Sequence, residues 1–372
     1  MIYLDNAATT KPKEEVMNVI AKSMREDWFN PSSPYFPAFD VKNKIERARE
    51  TIASAIRARP NEIFFTSSGS EANNLALQGF HKKYPDSHIF ISNVEHKSIM
   101  ECVKHLGDCV HIISVQKDGY INTEDLMRGL QRYSSKENPA LVSIQYANNE
   151  TGVVQDMKGI ANIVHSNHAI FHTDSVQVFP HHNCTVDYFG FDMMSVSGHK
   201  FGCPKGIGFL YIKNGYNLSP IIYGSQEKQM RGGTENAPYI IGLAKAVELK
   251  DTMSNDLIDS NRLYFEEKLK ELGCTINCEN SVRLENIISC TLPQGCVAEL
   301  LIYVLSFKQI YISAGSACNS SSNTPSYVLR NIGLTDEEIQ RTIRISLSED
   351  TTTAEIDKVI DEIKAYLSTV VG

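Results

Sequence analysis

The sequence predicts an α/β protein: a mostly parallel central sheet covered by helices, with a smaller α+β domain. Three observations carry this. Near-continuous apolar runs of strand length alternate with amphipathic helical patterns over the first two-thirds of the chain, as expected of strands buried on both faces. The pattern becomes long and helical between residues 236 and 272. The 372 residues also exceed the roughly 100–200 of one ordinary domain.

Taken in order, the apolar runs are Phe64-Phe65, then residues 88–91, 110–113, 141–144, 169–172, 193–196 and 207–210. Each reads as a buried strand. In such sheets ligands bind beyond the carboxyl ends of the strands, so the residues after each run are the ones to weigh. Residues 236–272 read as a linking helix carrying Ala246, Val247, Leu249, Leu257, Leu263, Phe265 and Leu269. Strands at 286–291 and 342–347 and helices at 297–305 and 354–367 complete the smaller domain. The expected division is a large domain at 13–245 and a small one formed by 1–12 with 246–372.

Composition narrows the function classes. A net charge of −8 argues against nucleic-acid binding, which needs clustered Lys and Arg to neutralise phosphates. No run approaches the roughly 20 apolar residues of a membrane helix, and the first residues show no secretory pattern. The nine cysteines have no regular spacing and read as free thiols of a cytoplasmic protein. Cys274 and Cys278 lack a second pair to complete a zinc site, and no metal is assigned.

Several strand exits carry residues with chemistry. In Ser195-Val196-Ser197-Gly198-His199-Lys200 a Lys follows a strand and a turn. Desolvated there it could act as an amine nucleophile; otherwise it is a surface Lys. Asp174 follows the 169–172 run and either holds a pyridine nitrogen protonated or caps a helix. Thr66-Ser67-Ser68-Gly69-Ser70-Glu71 precedes a helix and combines hydroxyls, glycine and free helix N–H groups, an anion cradle or a plain serine cap. His96, beyond the 88–91 run, could stack on a planar cofactor or move protons, or be structural. Cys318 sits between Ser316-Ala317 and the polar run 319–323, an unshielded thiol able to ionise and react. That run has nothing to bury and should be mobile. Cys203 reads as packing. Arg344, in Thr342-Ile343-Arg344-Ile345, either grips a carboxylate with two hydrogen bonds or lies on a solvated strand face.

Together these segments resemble, in order and spacing, the cysteine desulfurases, a group of fold-type-I pyridoxal-phosphate enzymes related to class-V aminotransferases. The resemblance runs from Tyr3-Leu4-Asp5-Asn6-Ala7-Ala8-Thr9-Thr10 through Asn30-Pro31-Ser32-Ser33, Asn148-Asn149-Glu150-Thr151-Gly152, Ser197-Gly198-His199-Lys200 and Arg231-Gly232-Gly233-Thr234 to Ser316-Ala317-Cys318 and Ser326-Tyr327-Val328-Leu329-Arg330. The long serine-rich stretch after Cys318 is similar to that of the nitrogen-fixation and housekeeping group. The resemblance implies pyridoxal 5'-phosphate as cofactor, L-cysteine as substrate and a homodimer. It implies that Lys200 links covalently to the cofactor, Asp174 pairs with the ring nitrogen, Gln177 meets the ring hydroxyl and His96 stacks on the ring. Gly69, Ser70, Ser197 and His199 would hold the phosphate, and Thr234 would reach it from the partner subunit. Asn149 and Arg344 would bind the substrate carboxylate. Cys318 would take the sulfur as a persulfide and pass it to an acceptor protein, an iron–sulfur scaffold or a tRNA-thiolation enzyme.

Three stretches depart from the family pattern: Phe201-Gly202-Cys203-Pro204, Lys228-Gln229, and residues 34–37. None removes a catalytic group. The tail after Leu367 is short beside the scaffold-docking extension of housekeeping relatives, which turns the expectation toward a dedicated acceptor or tRNA-thiolation partners. An aminotransferase would use Lys200 and Asp174 equally but has no task for Cys318. A selenocysteine lyase shares the scaffold. A non-catalytic sulfur-relay subunit would not need the complete cofactor set.

Overall fold

The computed structural model describes residues 1–250, 255–315 and 325–370. The strands are β1 (Ile2–Tyr3), β2 (Ile63–Thr66), β3 (Ile89–Ser92), β4 (Val110–Ile113), β5 (Leu141–Ser143), β6 (Ile170–Asp174), β7 (Met193–Ser197), β8 (Gly208–Ile212), β9 (Thr275–Ile276), β10 (Ile287–Thr291), β11 (Ile310–Tyr311), β12 (Ser313–Ala314) and β13 (Thr342–Ser346). The helices are α1 (Glu14–Glu26), α2 (Phe36–Ala55), α3 (Gly69–Lys83), α4 (Lys97–Val103), α5 (Thr123–Tyr133), α6 (Met157–Ser166), α7 (Val186–Phe189), α8 (Ala237–Lys250), α9 (Asp256–Glu271), α10 (Ala298–Phe307), α11 (Tyr327–Asn331), α12 (Asp336–Gln340) and α13 (Thr353–Val370).

Seven strands form the main sheet in the order β2-β8-β7-β6-β5-β3-β4. All are mutually parallel except β8, which runs antiparallel to β2 and β7. The apolar run 207–210 is therefore a strand as expected, but reversed. Its composition carries no direction, since both of its faces are buried either way. Apolar clusters cover both sides of the sheet. One holds Phe65, Phe90, Val142, Phe171, Met194 and Phe209. The other holds Phe64, Ile89, Ile91, Leu141, Ile170 and Leu210. Neighbours in sequence thus face opposite layers, as the period-2 pleat requires.

A four-stranded antiparallel sheet, β12-β13-β10-β9, forms a second unit with the parallel pair β1-β11. Its core gathers Ile2, Leu4, Phe265, Ile288, Leu301, Ile345 and Ile363. The N-terminal residues therefore pack with the last third of the chain. The expected single linking helix is instead two helices, α8 and α9. α8 packs on α1 and α2, while α9 lies with α13 and β10. Apolar spacing alone could not separate them, because each helix carries its own buried stripe.

The topology gathers one set of chain segments at one end of the sheet. The carboxyl ends of β2, β3, β5, β6 and β7 all point there, with the start of antiparallel β8 beside them.

Candidate active site

Apart from Thr234, the described residues that the resemblance assigned to the cofactor lie at or just after one of those strand ends. Asp174 is the last residue of β6 and is buried. Its Oδ1 accepts from the Val176 N–H at 3.0 Å and its Oδ2 from Asn73 Nδ2 at 2.7 Å. Each carboxylate oxygen keeps a lone pair for a further donor. The second Asn73 Nδ2 proton goes to Ser98 Oγ at 2.9 Å. Ser98 Oγ lies 2.8 Å from His96 Nδ1, which also accepts the Ser98 N–H at 3.1 Å. That N–H fixes Nδ1 as an acceptor and so puts the proton of neutral His96 on Nε2. Burial is the largest influence on His96 and favours the neutral ring; Asp174 opposes it.

The start of α3 meets the ends of β6 and β7 closely. A Cβ on Gly69 would lie 2.8 Å from Val176 Cγ2 and 3.2 Å from Ser197 Cβ. A Cβ on Gly208 would come within 2.4 Å of the Val196 carbonyl and 3.0 Å of the Ser68 backbone. Two glycines therefore let the helix start sit on the strand ends. Ser68 caps α3 by accepting from the Glu71 N–H at 3.1 Å. The Gly69 and Ser70 N–H groups open the helix, where no intrahelical partner exists. They lie at the same end of the sheet as Ser197 and His199, and a helix start of this kind can take an anion. His199 is held neutral by burial, with Lys200 and Lys205 adding to the effect, and its pKa falls to about 4.

A feature missed in the sequence is the N-terminal segment as a hub. Lys200 Nζ donates to the carbonyls of Ala7 at 2.7 Å and Ala8 at 2.8 Å. Gln177 Nε2 also donates to the Ala7 carbonyl, at 3.0 Å. Thr9 Oγ1 lies 3.1 Å from His199 Nδ1. The segment's other side is pinned to the small unit by Ala7 N–H to Ser346 Oγ at 2.9 Å. A cavity of about 800 Å³ is lined by Lys200, Gln177, Asn6, Thr10, Glu285 and Ser348. That is the size range of small-molecule sites.

Arg344 corrects one expectation. It is not on a solvated strand face: it is 2% exposed, because its face of β13 is covered by the N-terminal segment at Asp5 and by the loop after β5. Its Nη2 donates to Asp5 Oδ1 at 2.7 Å and its Nη1 to the Asn149 carbonyl at 2.9 Å. Its buried Nε has no hydrogen-bond partner. Asn149 thus joins Arg344 through its backbone. Thr234 stands apart from this group; it is exposed and lines a small pocket of about 130 Å³ with Ser67 and Arg231. Cys203 is fully buried, as a packing residue should be. Cys318 and its polar run lie within 316–324, outside the described residues. Among the described residues no three His, Cys, Asp or Glu side chains cluster as a metal site. No described helix is long and apolar enough to cross a membrane.

The Aminotransferase class-V family profile matches residues 2–359. A cysteine desulfurase IscS of Methanosarcina thermophila is 37% identical over 97% of this chain and 91% of its own length. The chain belongs to this family, among its cysteine desulfurases. Two solved structures extend the likeness to the fold. The NifS-like protein of Rickettsia africae superposes with a TM-score of 0.91 at 34% identity, covering 99% of both chains. The structure of SspA in complex with cysteine superposes with a TM-score of 0.83 at 34% identity, covering 93% of this chain and 99% of that one. Cysteine desulfurases of the class-V family are pyridoxal-phosphate enzymes.

The residues present suit that cofactor. A buried carboxylate with spare lone pairs, a neutral imidazole, a glycine-seated helix start and a lysine amine meet at one end of the sheet. These are the groups a pyridinium nitrogen, a flat ring, a phosphate and an aldehyde each call for.

Proposed function

We propose that this protein is a pyridoxal-phosphate-dependent cysteine desulfurase, converting L-cysteine to L-alanine and holding the sulfur as a persulfide on Cys318. The observation that carries the reading is the convergence of Lys200, Asp174, His96 and the α3 start at one sheet end, with buried Arg344 beside the exit of β5. The close relatives' names and the cysteine complex support it.

In this reading Lys200 anchors the cofactor, Asp174 holds its ring nitrogen, Gln177 meets its hydroxyl and His96 stacks on its ring. Gly69, Ser70, Ser197 and His199 hold the phosphate, joined by the partner subunit's Thr234. Bound pyridoxal phosphate supplies an electron sink for negative charge at the cysteine Cα. Arg344 binds the substrate carboxylate with Asn149, its plane set by Asp5 and the Asn149 carbonyl. The Lys200 amine takes the Cα proton. The Cys318 thiolate attacks the substrate sulfur, forming an S–S bond as the C–S bond breaks. The electron pair of that bond and two protons stay with the three-carbon fragment, which leaves as alanine. The thiol plus cysteine gives persulfide plus alanine, so no outside oxidant or reductant is needed.

The protein works as a cytoplasmic homodimer, with a large domain at 13–245 and a small one at 1–12 and 246–372. It delivers sulfur to an acceptor protein, an iron–sulfur scaffold or a tRNA-thiolation enzyme. The test is alanine and sulfide release from L-cysteine with reductant present and no keto acid. Release supports desulfuration, whereas a strict need for a keto acid would make the protein an aminotransferase.

A further inference from the structure

The loop after β5 contains a carboxylate the mechanism above does not use. Glu150 follows Asn149 and precedes Thr151-Gly152, a polar loop in which a Glu is expected to point to water. Its residue is instead 8% exposed, and burial pushes its carboxyl up to about 7. Taking a carboxyl out of water is costly unless it is hydrogen-bonded. Its partner is Ser326, whose Oγ donates to Glu150 Oε2 at 2.5 Å.

Ser326 is the N-cap of α11 and accepts the Leu329 N–H at 3.1 Å. One hydroxyl thus uses its proton on Glu150 and a lone pair on the helix. Two more bonds seat α11 on the exit of β3. Tyr327 donates its OH to the Glu95 carbonyl at 2.5 Å, and Asn331 Nδ2 donates to the Asn93 carbonyl at 2.7 Å. Of these three bonds, the one from Ser326 leads to the loop whose Asn149 carbonyl holds Arg344. Ser326 lies eight residues after Cys318 and Gly315 three before it. The Gly315 N–H is held by the Thr342 carbonyl at 3.1 Å. Gly315 and Ser326 are thus hydrogen-bonded residues that flank the Cys318 segment on its two sides.

We propose that Glu150 is a positioning residue for sulfur transfer: through Ser326 it ties the downstream end of the Cys318 segment to the loop that binds the substrate carboxylate. This rests on the desulfurase reading. Glu150 touches neither substrate nor cofactor and acts on the step that uses Cys318, not on those before it.

The test compares Glu150→Ala, Ser326→Ala, the double variant and Glu150→Gln, all loaded with pyridoxal phosphate. Two rates are followed: exchange of the L-cysteine Cα proton with D2O, which precedes Cys318, and persulfide formation on Cys318 by rapid quench and mass spectrometry. The expected result is about a tenfold slowing of persulfide formation in each Ala variant, the size of one lost buried hydrogen bond. The double variant should be no slower than either single one, because both remove the same bond. Glu150→Gln can still accept the Ser326 proton and should stay within about twofold of wild type. Cα exchange should stay within about twofold throughout. Persulfide formation at the wild-type rate in Glu150→Ala, or exchange falling in proportion with it, would overturn the positioning role. A loaded wild type that forms no persulfide would overturn the desulfurase reading, and this role with it.

Discussion

Asn73 donates to Asp174 Oδ2 across 2.7 Å and shares its other amide proton with Ser98 Oγ. One amide therefore orients the carboxylate on β6 and, through Ser98, the imidazole on the β3 exit. Asn73→Ala removes a hydrogen bond to a charged group, an interaction of about 1.5–3 kcal/mol. Pyridoxal phosphate should bind about tenfold more weakly, measured by dialysis against the absorbance of the bound form. The His96 ring should also lose its fixed orientation, visible as a changed absorbance envelope.

Gly69 leaves no room for a side chain between Val176 and Ser197. Gly69→Ala should push the start of α3 off the strand ends. Overpacking of this kind costs about 1–3 kcal/mol. Thermal unfolding should show that loss, and phosphate-dependent retention of the cofactor should fall with it. Substitution at Gly107, where an added Cβ meets nothing within 4 Å, is the control on open space, although its positive φ adds backbone strain.

Arg344 is buried and shared between Asp5 and the Asn149 carbonyl. Arg344→Lys keeps the charge but cannot make both bonds and grip a carboxylate as well. KM for L-cysteine should rise at least tenfold, while cofactor absorbance without substrate stays near wild type. An unchanged KM would remove Arg344 from the substrate site.

Glu95 carries a pH dependence of stability. Burial pushes its carboxyl up to about 8, Asp174 adds to the rise, and bonds from Ser92 and the Gln145 N–H oppose it. The folded protein keeps this proton where the unfolded chain has lost it. Stability from this group is full below about 4.5, falls as pH rises to about 8, and is flat above. Glu95→Gln removes the titration, so the stability difference between the two proteins should shift by up to about 1.4 kcal/mol per pH unit inside that window. Parallel stability curves for wild type and variant would contradict this.

Which features were legible in the sequence follows from how local their cause is. Asp174, His96 and Lys200 each stand just past an apolar run, and the parallel topology then brings run ends together, so three separate positions become one site. The role of Asn73 was not legible, because its partners lie 25 and 101 residues away and nothing in its own helix marks it. The burial of Arg344 was hidden by the alternation Thr342-Ile343-Arg344-Ile345-Ser346, which reads as one wet face. Both faces are covered, one by the small-unit core around Ile343 and Ile345 and the other by Asp5 and the β5 exit. The break between α8 and α9 was hidden because both helices carry apolar stripes. The carbonyls of Ala7 and Ala8 are backbone groups, and no side-chain pattern announces them.

Cys318 is proposed to carry sulfur taken from cysteine. The most direct test is mass spectrometry of the pyridoxal-phosphate-loaded protein after brief exposure to L-cysteine without reductant, beside Cys318→Ala treated alike. The expected result is a gain of one sulfur on the Cys318 peptide, with alanine released, and no gain in the variant, which keeps its cofactor absorbance. A loaded wild type that gains no sulfur, or a variant that desulfurates cysteine at the wild-type rate, would contradict it.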